Sequence, residues 1–119
     1  YQDLPRVVDP ASGWLQNAND PPWTTTFPVA IAANNYPPYM APRGPMYFRA
    51  QRSAKMLDED KQISFEEMIE YKHSTRMELA DRILDDLIPA ARKYGDKLAR
   101  QAADVLAAWD RFADAESRG

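Results

Sequence analysis

Apolar residues recur at helical spacing in two sets within the C-terminal half of the chain. Residues three or four apart share one face of an α-helix, so the sets predict helices over residues 76–94 and 96–115. The first set is Met77, Ala80, Ile83, Leu84, Leu87, Ile88 and Ala91, and the second is Leu98, Ala102, Val105, Leu106, Trp109, Phe112 and Ala113. Because the connection at residues 94–96 is short, the two helices are predicted to pack as an antiparallel hairpin.

Two shorter helices are predicted before this hairpin, over residues 46–58 and 65–73. Pro45 suits the first turn of the earlier helix, because proline has no backbone N–H and a fixed φ. Ser64 and Glu67 form an S-x-x-E capping box, which predicts the start of the later one.

Local signals also predict the ends and the shape of the helix at residues 76–94. Thr75 has a glutamate three residues later and is predicted as its N-cap. Gly95 is predicted as the C′ residue that ends it. Pro89 interrupts the apolar pattern and predicts a kink or a break near Leu87.

Residues 1–45 differ sharply from residues 46–119. They contain nine of the ten prolines and only five charged residues, so a long helix or a central strand is excluded there. They are also rich in aromatic residues, which disordered linkers usually lack. We therefore predict a mainly α fold, a helical hairpin or small bundle preceded by a Pro-rich extended segment. That segment is predicted to carry a short strand at residues 13–19 and to pack on a partner outside this chain.

The amino-acid composition excludes several classes of partner and of catalytic chemistry for this chain. The formal net charge is −3, which gives no electrostatic reason to expect nucleic acid or an anionic membrane as a partner. No apolar run approaches the roughly 20 residues of a membrane span. The chain contains no cysteine, which excludes thiolate catalysis, disulfides and thiolate metal sites. It begins with Tyr1 rather than methionine, so we expect it to be part of a longer protein.

Two asparagines are the main candidates for chemistry. If residues 13–19 form a strand, its period of two places Asn17 and Asn19 on the same side, at the strand end. Asparagine amides donate hydrogen bonds without titrating, so they can hold a developing oxyanion in acyl transfer. The alternative interpretation is that these asparagines form turns and caps.

The remaining polar residues are interpreted as structural. His73, the single histidine, has no second His or Cys to share a metal and falls at a predicted helix end, where a cation is favoured. Adjacent carboxylates lie beside basic residues and are interpreted as solvated, salt-bridged surface. These carboxylates are Asp58, Glu59, Asp60, Glu66, Glu67, Asp85 and Asp86. No metal site and no cofactor is predicted.

Three blocks of the sequence resemble the large (β) subunit of the penicillin acylase family. The first is DPASGWLQNANDPPW at residues 9–23, which is similar to a consensus N-P-x-S-G-[FWY]-[ILV]-x-N-x-N-x-x-P. The others are HSTRMELADR at residues 73–82 and AADVLAAWD at residues 102–110, both similar to helices that follow in that subunit. The amino-acid sequences of the blocks are most similar to the branch of aculeacin and acyl-homoserine-lactone acylases.

The resemblance implies a fold, a reaction and a site. The family consists of N-terminal nucleophile hydrolases with an αββα fold, in which a freed N-terminal serine attacks a linear or cyclic amide and its α-amine serves as base. Asn19 matches the asparagine of the oxyanion hole, and Asn17 matches a supporting residue. Family members are usually periplasmic or secreted, which is therefore the expected location.

Three departures from the family pattern shape the prediction. Tyr1 cannot replace the serine nucleophile, so the isolated chain is expected to be inactive. Residues 27–31 lack the carboxylate through which some members bind calcium. Arg43 is the candidate counterpart of the family's active-site arginine.

The predicted function is therefore that of an internal acylase fragment. Its expected partners are the small (α) subunit, the rest of the large subunit and a small-molecule amide. The isolated fragment is expected to self-associate through the exposed aromatic residues Trp14, Trp23, Tyr47 and Phe48. The alternative is a stand-alone helical interaction module that docks through Tyr36, Pro37, Pro38 and Tyr39.

Overall fold

The computed structural model describes residues 3–118, and the expectation about Tyr1 lies outside this range. The described residues form four α-helices and no strand, which confirms the mainly α prediction. The helices are α1 (Phe48–Glu59), α2 (Phe65–His73), α3 (Glu78–Tyr94) and α4 (Lys97–Ala108). Pro22–Thr24 and Ala33–Asn35 each form a single 3-10 turn in the Pro-rich segment.

The chain divides into two compact units, residues 1–72 and 73–119, so the boundary lies well after the change in composition at residue 45. The first unit contains the Pro-rich segment together with α1 and α2, except for the last residue of α2, His73. Ala50 and Ala54 of α1 are buried, as is Ile31 of the Pro-rich segment. The guanidinium of Arg49 on α1 donates to the carbonyl of Ala18 at 2.6 Å. The Pro-rich segment is therefore part of a compact unit with α1 rather than a separate arm.

The predicted strand at residues 13–19 is wrong for this chain. Within residues 14–19, the single backbone–backbone hydrogen bond of the described structure joins the Gln16 N–H to the Thr25 carbonyl at 2.9 Å. Asn19 has φ of 64°, in the left-handed region, so the chain turns there. Side chains that alternate with a period of two do not by themselves form a strand, because the hydrogen bonds of a sheet also need a neighbouring strand.

At the start of α2, the structure agrees most clearly with what the local sequence pattern predicts. The Ser64 N–H and hydroxyl both donate to the Glu67 carboxylate, at 2.8 and 2.6 Å, and the Glu67 N–H donates to the Ser64 hydroxyl at 3.2 Å. These reciprocal bonds satisfy backbone donors that the first turn of a helix leaves open. The predicted capping box is confirmed.

The predicted antiparallel hairpin of α3 and α4 is also confirmed. The two helices pack on each other, with Ala80 and Leu84 of α3 and Ala103 of α4 buried. At the far end of the hairpin, the chain before α3 pairs with the chain after α4. The Met77 N–H donates to the Arg111 carbonyl at 2.9 Å, and the Ala113 N–H donates to the Thr75 carbonyl at 3.1 Å. We call this pairing of residues 75–77 with 111–113 the clasp.

The clasp explains why two predicted helix ends are wrong. Thr75 is not an N-cap, since its carbonyl is bonded to Ala113 and its hydroxyl donates to Asp114. Helix α4 stops at Ala108 instead of residue 115, because Trp109 is extended and Arg111 has φ of 67°. The Trp109 indole N–H then donates to the Phe112 carbonyl at 2.9 Å and to the Ser117 hydroxyl at 2.8 Å, which holds the chain away from the helical path.

Two further details of α3 differ from the sequence-based prediction. The helix continues through Pro89 without a break, with Leu84 buried before it and Ala91 half-buried after it. Gly95 follows α3, but its φ is −73° and not left-handed. Instead, an added Cβ would lie 2.4 Å from the Ala91 carbonyl oxygen and 2.6 Å from the Ala99 Cβ. Glycine is therefore required for space at the connection between α3 and α4.

Asp81 near the start of α3 carries two ion pairs. Arg76 donates to its carboxylate at 2.7 and 2.9 Å, and Arg111 approaches it at 3.3 Å. The Arg76 hydrogen bonds, opposed by burial and supported by Arg111, lower the pKa of Asp81 from 3.8 to about 2. This cluster ties the clasp to α3 on both sides.

We expect the Asp81 cluster to make the stability of the second unit acid-sensitive. Because the folded pKa is depressed, the stabilisation is complete above about pH 4 and is lost as the pH falls towards about 2. After allowance for solvent screening of the arginines, the loss is about 1 kcal/mol. Urea unfolding of the wild type and of Asp81→Asn between about pH 6 and pH 2.5 measures it. The two curves should converge at low pH, and a constant gap across this range would contradict the assignment.

Candidate functional site

The two candidate asparagines lie in one tight turn. The side-chain oxygen of Asn17 accepts the backbone N–H of Asn19 at 2.8 Å, which is an Asx turn. Asn19 occupies the left-handed region, where asparagine is tolerated better than most residues. Both side chains are exposed in this chain. The turn interpretation thus holds for Asn17, and the structure places Asn19 at the apex.

A polar network below the turn fixes its shape. Gln16 is buried, and its amide donates to the Asp20 carboxylate at 3.0 Å and to the Thr24 carbonyl at 2.8 Å. Asp20 also accepts the Ala18 N–H at 2.9 Å and the Thr24 hydroxyl. Burial alone would raise the pKa of Asp20, but the hydrogen bonds from Thr24, Ala18 and Gln16 outweigh it and lower the pKa. The ionised carboxylate of Asp20 therefore bonds the backbone of Ala18, so that the two neighbours of Asn19 are joined to each other.

Arg49 of α1 makes the contact that matters most for Asn19. Its Nη2 donates to the Asn19 side-chain oxygen at 3.1 Å and to the Ala18 carbonyl at 2.6 Å. Because the guanidinium donates a hydrogen bond to the amide oxygen of Asn19, the Asn19 Nδ2 group is turned away from Arg49. Among residues 3–118, that Nδ2 donates no hydrogen bond. The arrangement presents two amide N–H donors next to a fixed positive charge.

Arg43, the arginine singled out from the sequence, lies elsewhere. Its guanidinium donates to the Tyr36 carbonyl at 2.9 Å, the Ala33 carbonyl at 3.3 Å and the Asn34 side chain at 3.4 Å. These bonds close a local loop and do not involve the asparagine turn. The structure therefore places Arg49, and not Arg43, beside the asparagine turn.

The sequence analysis missed Arg49 because no local pattern marks it. It is 30 residues from Asn19 and stands in the first turn of α1, where a basic residue has no capping role. Only the packing of the Pro-rich segment against α1 brings the two side chains together. Asp20 was also missed as a brace, although an Asx residue beside an N-x-N turn is a usable signal.

The other titratable candidates do not gather into a site. His73 is exposed and is the last residue of α2, which agrees with its interpretation as a helix-end residue. Asp85 is bonded to Arg111 at the surface. Within the described range no group of three or more His, Cys, Asp or Glu side chains could hold a metal ion. Nor is any helix between residues 3 and 118 long and apolar enough to cross a membrane.

A groove runs along the first unit next to the asparagine turn. It has a volume of about 230 Å³ and includes Leu15, Asn17 and Asp20 on one side. Its other lining residues are mostly apolar, including Pro5, Val7 and Ile31. The turn therefore borders a concave surface that has both polar and apolar lining residues.

The chain matches the family model of penicillin amidase over residues 1–119. The chain belongs to the penicillin amidase family. The match covers all three blocks and the region between them, so the resemblance noted from sequence is confirmed at the level of the family. The mainly helical structure agrees with a helical fragment of a penicillin amidase family protein.

Membership in the penicillin amidase family gives the asparagine turn a chemical context. The family hydrolyses amides, a reaction in which negative charge develops on the carbonyl oxygen. The braced turn, the two free N–H donors of Asn19 and the nearby guanidinium are suited to that charge. The catalytic assignment of Asn19 and the supporting role of Asn17 stay predictions, as does the acylase branch.

Proposed function

We propose that this chain is an internal segment of the large subunit of an acylase that hydrolyses the amide between an acyl group and an amine. In this proposal the Asn19 Nδ2 group donates to the oxyanion of the tetrahedral intermediate. The single observation that supports it best is the contact of the Arg49 guanidinium with the Asn19 side-chain oxygen at 3.1 Å.

The Arg49 contact favours an oxyanion role for two physical reasons. A guanidinium has donors and no acceptor, so it fixes which end of the amide faces it and which end faces outward. Its positive charge also stabilises negative charge that develops near the Nδ2 group. Preorganisation matters because donors that are already aligned need no reorganisation when the charge appears.

The nucleophile in this proposal comes from another part of the acylase. Within the first unit, the Ser12 hydroxyl donates to the Trp14 carbonyl at 3.1 Å and shares a hydrogen bond with the Thr26 hydroxyl. Neither partner is a base that could activate it. We therefore propose that the N-terminal serine and its α-amine are supplied by a preceding segment, and that the isolated chain is inactive.

The finer parts of the proposal follow the sequence resemblance. The parent is proposed to belong to the aculeacin and acyl-homoserine-lactone branch of N-terminal nucleophile hydrolases, and to be periplasmic or secreted. The rest of the acylase and a small-molecule amide are its proposed partners. Tyr47 and Phe48 are 62% and 44% exposed, which supports self-association of the isolated chain, whereas Trp14 and Trp23 are half-buried.

The alternative of a stand-alone interaction module is not favoured. Tyr39 is well exposed, as a docking residue would be, but the proposed docking arm is part of the same compact unit as α1. The family match also extends across the whole arm.

A matched pair of arginine variants in the longer acylase tests the proposal. The longer enzyme should release the amine from N-acylated substrates, measured with a chromogenic amine. We expect Arg49→Ala to lower kcat by about tenfold or more, since a charged hydrogen bond to the oxyanion donor is lost. Arg43→Ala should leave kcat within about twofold, because Arg43 bonds only its own loop.

Two results would count against this function. One is a correctly processed longer enzyme that hydrolyses no acylated amine of any chain length. The other is an equal loss of kcat for the Arg49 and Arg43 variants, which would mean that Arg49 acts only on folding.

A further inference from the structure

Positive charge is concentrated at the connection between α3 and α4. Four basic residues lie between positions 92 and 100, and the single acidic residue there is Asp96, so this stretch has a net charge of +3 within a chain of −3. The basic residues are Arg92, Lys93, Lys97 and Arg100. We call residues 92–100 the hairpin tip. The net charge of the chain, which argued against an anionic membrane as partner, is an average that does not describe this part of the surface.

Three of the four cations at the hairpin tip are available to a partner. Arg92 is paired with Asp104 of α4 at 2.9 Å, whereas Lys93, Lys97 and Arg100 form no ion pair among residues 3–118. All three of these side chains are exposed. The Nε–H of Arg100 donates to the Gly95 carbonyl at 2.9 Å, which brings its guanidinium back to the connection. The free charge is therefore held at the end of the hairpin.

Two large side chains with apolar surface flank the same connection. Tyr94 is the last residue of α3 and is 77% exposed, and Leu98 lies in the first turn of α4 and is 74% exposed. The Lys93 Nζ lies 4.8 Å from the centre of the Tyr94 ring. Single exposed apolar side chains are common on protein surfaces and need no partner. Beside three free cations, however, these two form a surface that is both basic and apolar.

We propose that the hairpin tip binds the surface of an anionic lipid bilayer. Anionic lipid headgroups attract Lys and Arg side chains, and the adjoining acyl region accepts apolar side chains such as Leu98. Tyr94 suits this boundary because its ring is apolar and its hydroxyl is polar. Nucleic acid would also attract the cations but offers no apolar phase for Leu98. The inference does not depend on the proposed function, because binding to a bilayer needs no turnover.

The attraction between the hairpin tip and a bilayer should be modest and sensitive to salt. One cation close to an anionic bilayer raises the partition coefficient by about fivefold, so three raise it by about 100-fold. Salt screens this attraction, because the Debye length falls from ~30 Å at 0.01 M to ~8 Å at 0.15 M. Binding should therefore be measured at low salt and should weaken as salt is added.

Co-sedimentation of the chain with lipid vesicles tests the proposal. Vesicles of phosphatidylcholine are compared with vesicles that also contain phosphatidylglycerol, and we expect the anionic vesicles to bind about tenfold more tightly or better. Lys93→Glu combined with Lys97→Glu should lower binding to the anionic vesicles by about tenfold or more. Lys55→Glu combined with Lys61→Glu makes the same change in net charge at exposed positions of the first unit, and should lower binding by less than about threefold. The absence of a preference for anionic vesicles, or an equal loss in both double variants, would overturn the proposal.

A pair of tyrosine variants gives a second readout. Tyr94→Ser should lower binding to the anionic vesicles by about threefold or more, because the ring no longer enters the interface. Tyr39→Ser removes a tyrosine that is 87% exposed in the first unit and should leave binding unchanged. Equal effects of the two variants would contradict insertion at the hairpin tip.

Two further measurements decide between the bilayer and other occupants of the hairpin tip. A single-stranded oligonucleotide that binds more tightly than the anionic vesicles, and whose binding is lost with Lys93→Glu and Lys97→Glu, would overturn the proposal in favour of nucleic acid. The longer acylase should show the same preference for anionic vesicles as the isolated chain. Loss of that preference in the longer acylase would mean that the rest of the protein covers the tip, and would also overturn the proposal.

Discussion

Replacing Asn19 with alanine in the longer acylase should lower kcat by about 10²–10³-fold, which corresponds to about 2.7–4 kcal/mol of lost transition-state stabilisation. The Nδ2 group would bond the oxygen only when it carries negative charge, so KM should change little. The expected effect is larger than that of Arg49→Ala, because Arg49 acts on the oxyanion through Asn19. Steady-state kinetics with one acylated chromogenic amine provide both parameters.

The backbone of Asn19 requires a control, because its φ of 64° is strained for alanine. Asn19→Gly removes the same amide without that strain, since glycine adopts the left-handed region freely. We expect Asn19→Gly to lose as much kcat as Asn19→Ala. If Asn19→Gly keeps nearly full activity, the alanine effect is conformational and Asn19 is a turn residue. Asn34→Ala, which removes another exposed asparagine, should leave kcat within about twofold.

Gly95→Ala should destabilise the isolated chain by about 3 kcal/mol, the largest stability effect that we expect from a single methyl group. The new Cβ would lie 2.4 Å from the Ala91 carbonyl oxygen and 2.6 Å from the Ala99 Cβ. Neither neighbour is a flexible side-chain end, so the backbones of α3 and α4 must move apart. Urea unfolding followed by the helical circular dichroism signal measures this loss.

Gly44→Ala is the matched control for Gly95. It adds the same methyl group where no atom lies within 4 Å, in the first unit. We expect its effect on the free energy of unfolding to stay within about 0.5 kcal/mol, or to be slightly stabilising, since alanine restricts the unfolded chain. Equal effects of the two substitutions would show that the close approach at Gly95 relaxes without cost.

The helices were predictable because their signals are local. Helix α2 begins and ends where the sequence indicates, since its capping box needs only Ser64 and Glu67. The hairpin followed from apolar periodicity on two helices with a short connection. The ends at Thr75 and Ala108 were not predictable, because the clasp joins residues that are more than 30 positions apart. No window of sequence contains both partners.

The site was predictable in residue type but not in geometry. Asn17 and Asn19 were identified, and their turn agrees with the general preference of asparagine for such conformations. Their side chains were expected on a strand, which the described residues do not form. Arg49 could not be assigned from spacing, because it reaches the turn only through the packing of α1. Asp20 follows the turn directly in sequence and could have been assigned from its position.

The indole of Trp109 gives the two units separate optical signals. The chain has three tryptophans, of which Trp14 and Trp23 belong to the first unit and Trp109 to the second. Trp109 is fixed by the Phe112 carbonyl and the Ser117 hydroxyl, beside the clasp. With phenylalanine at positions 14 and 23, and with excitation at a wavelength that tyrosine does not absorb, the tryptophan fluorescence of the chain would come from Trp109 alone. Emission would then report opening of the helical hairpin independently of events around the asparagine turn.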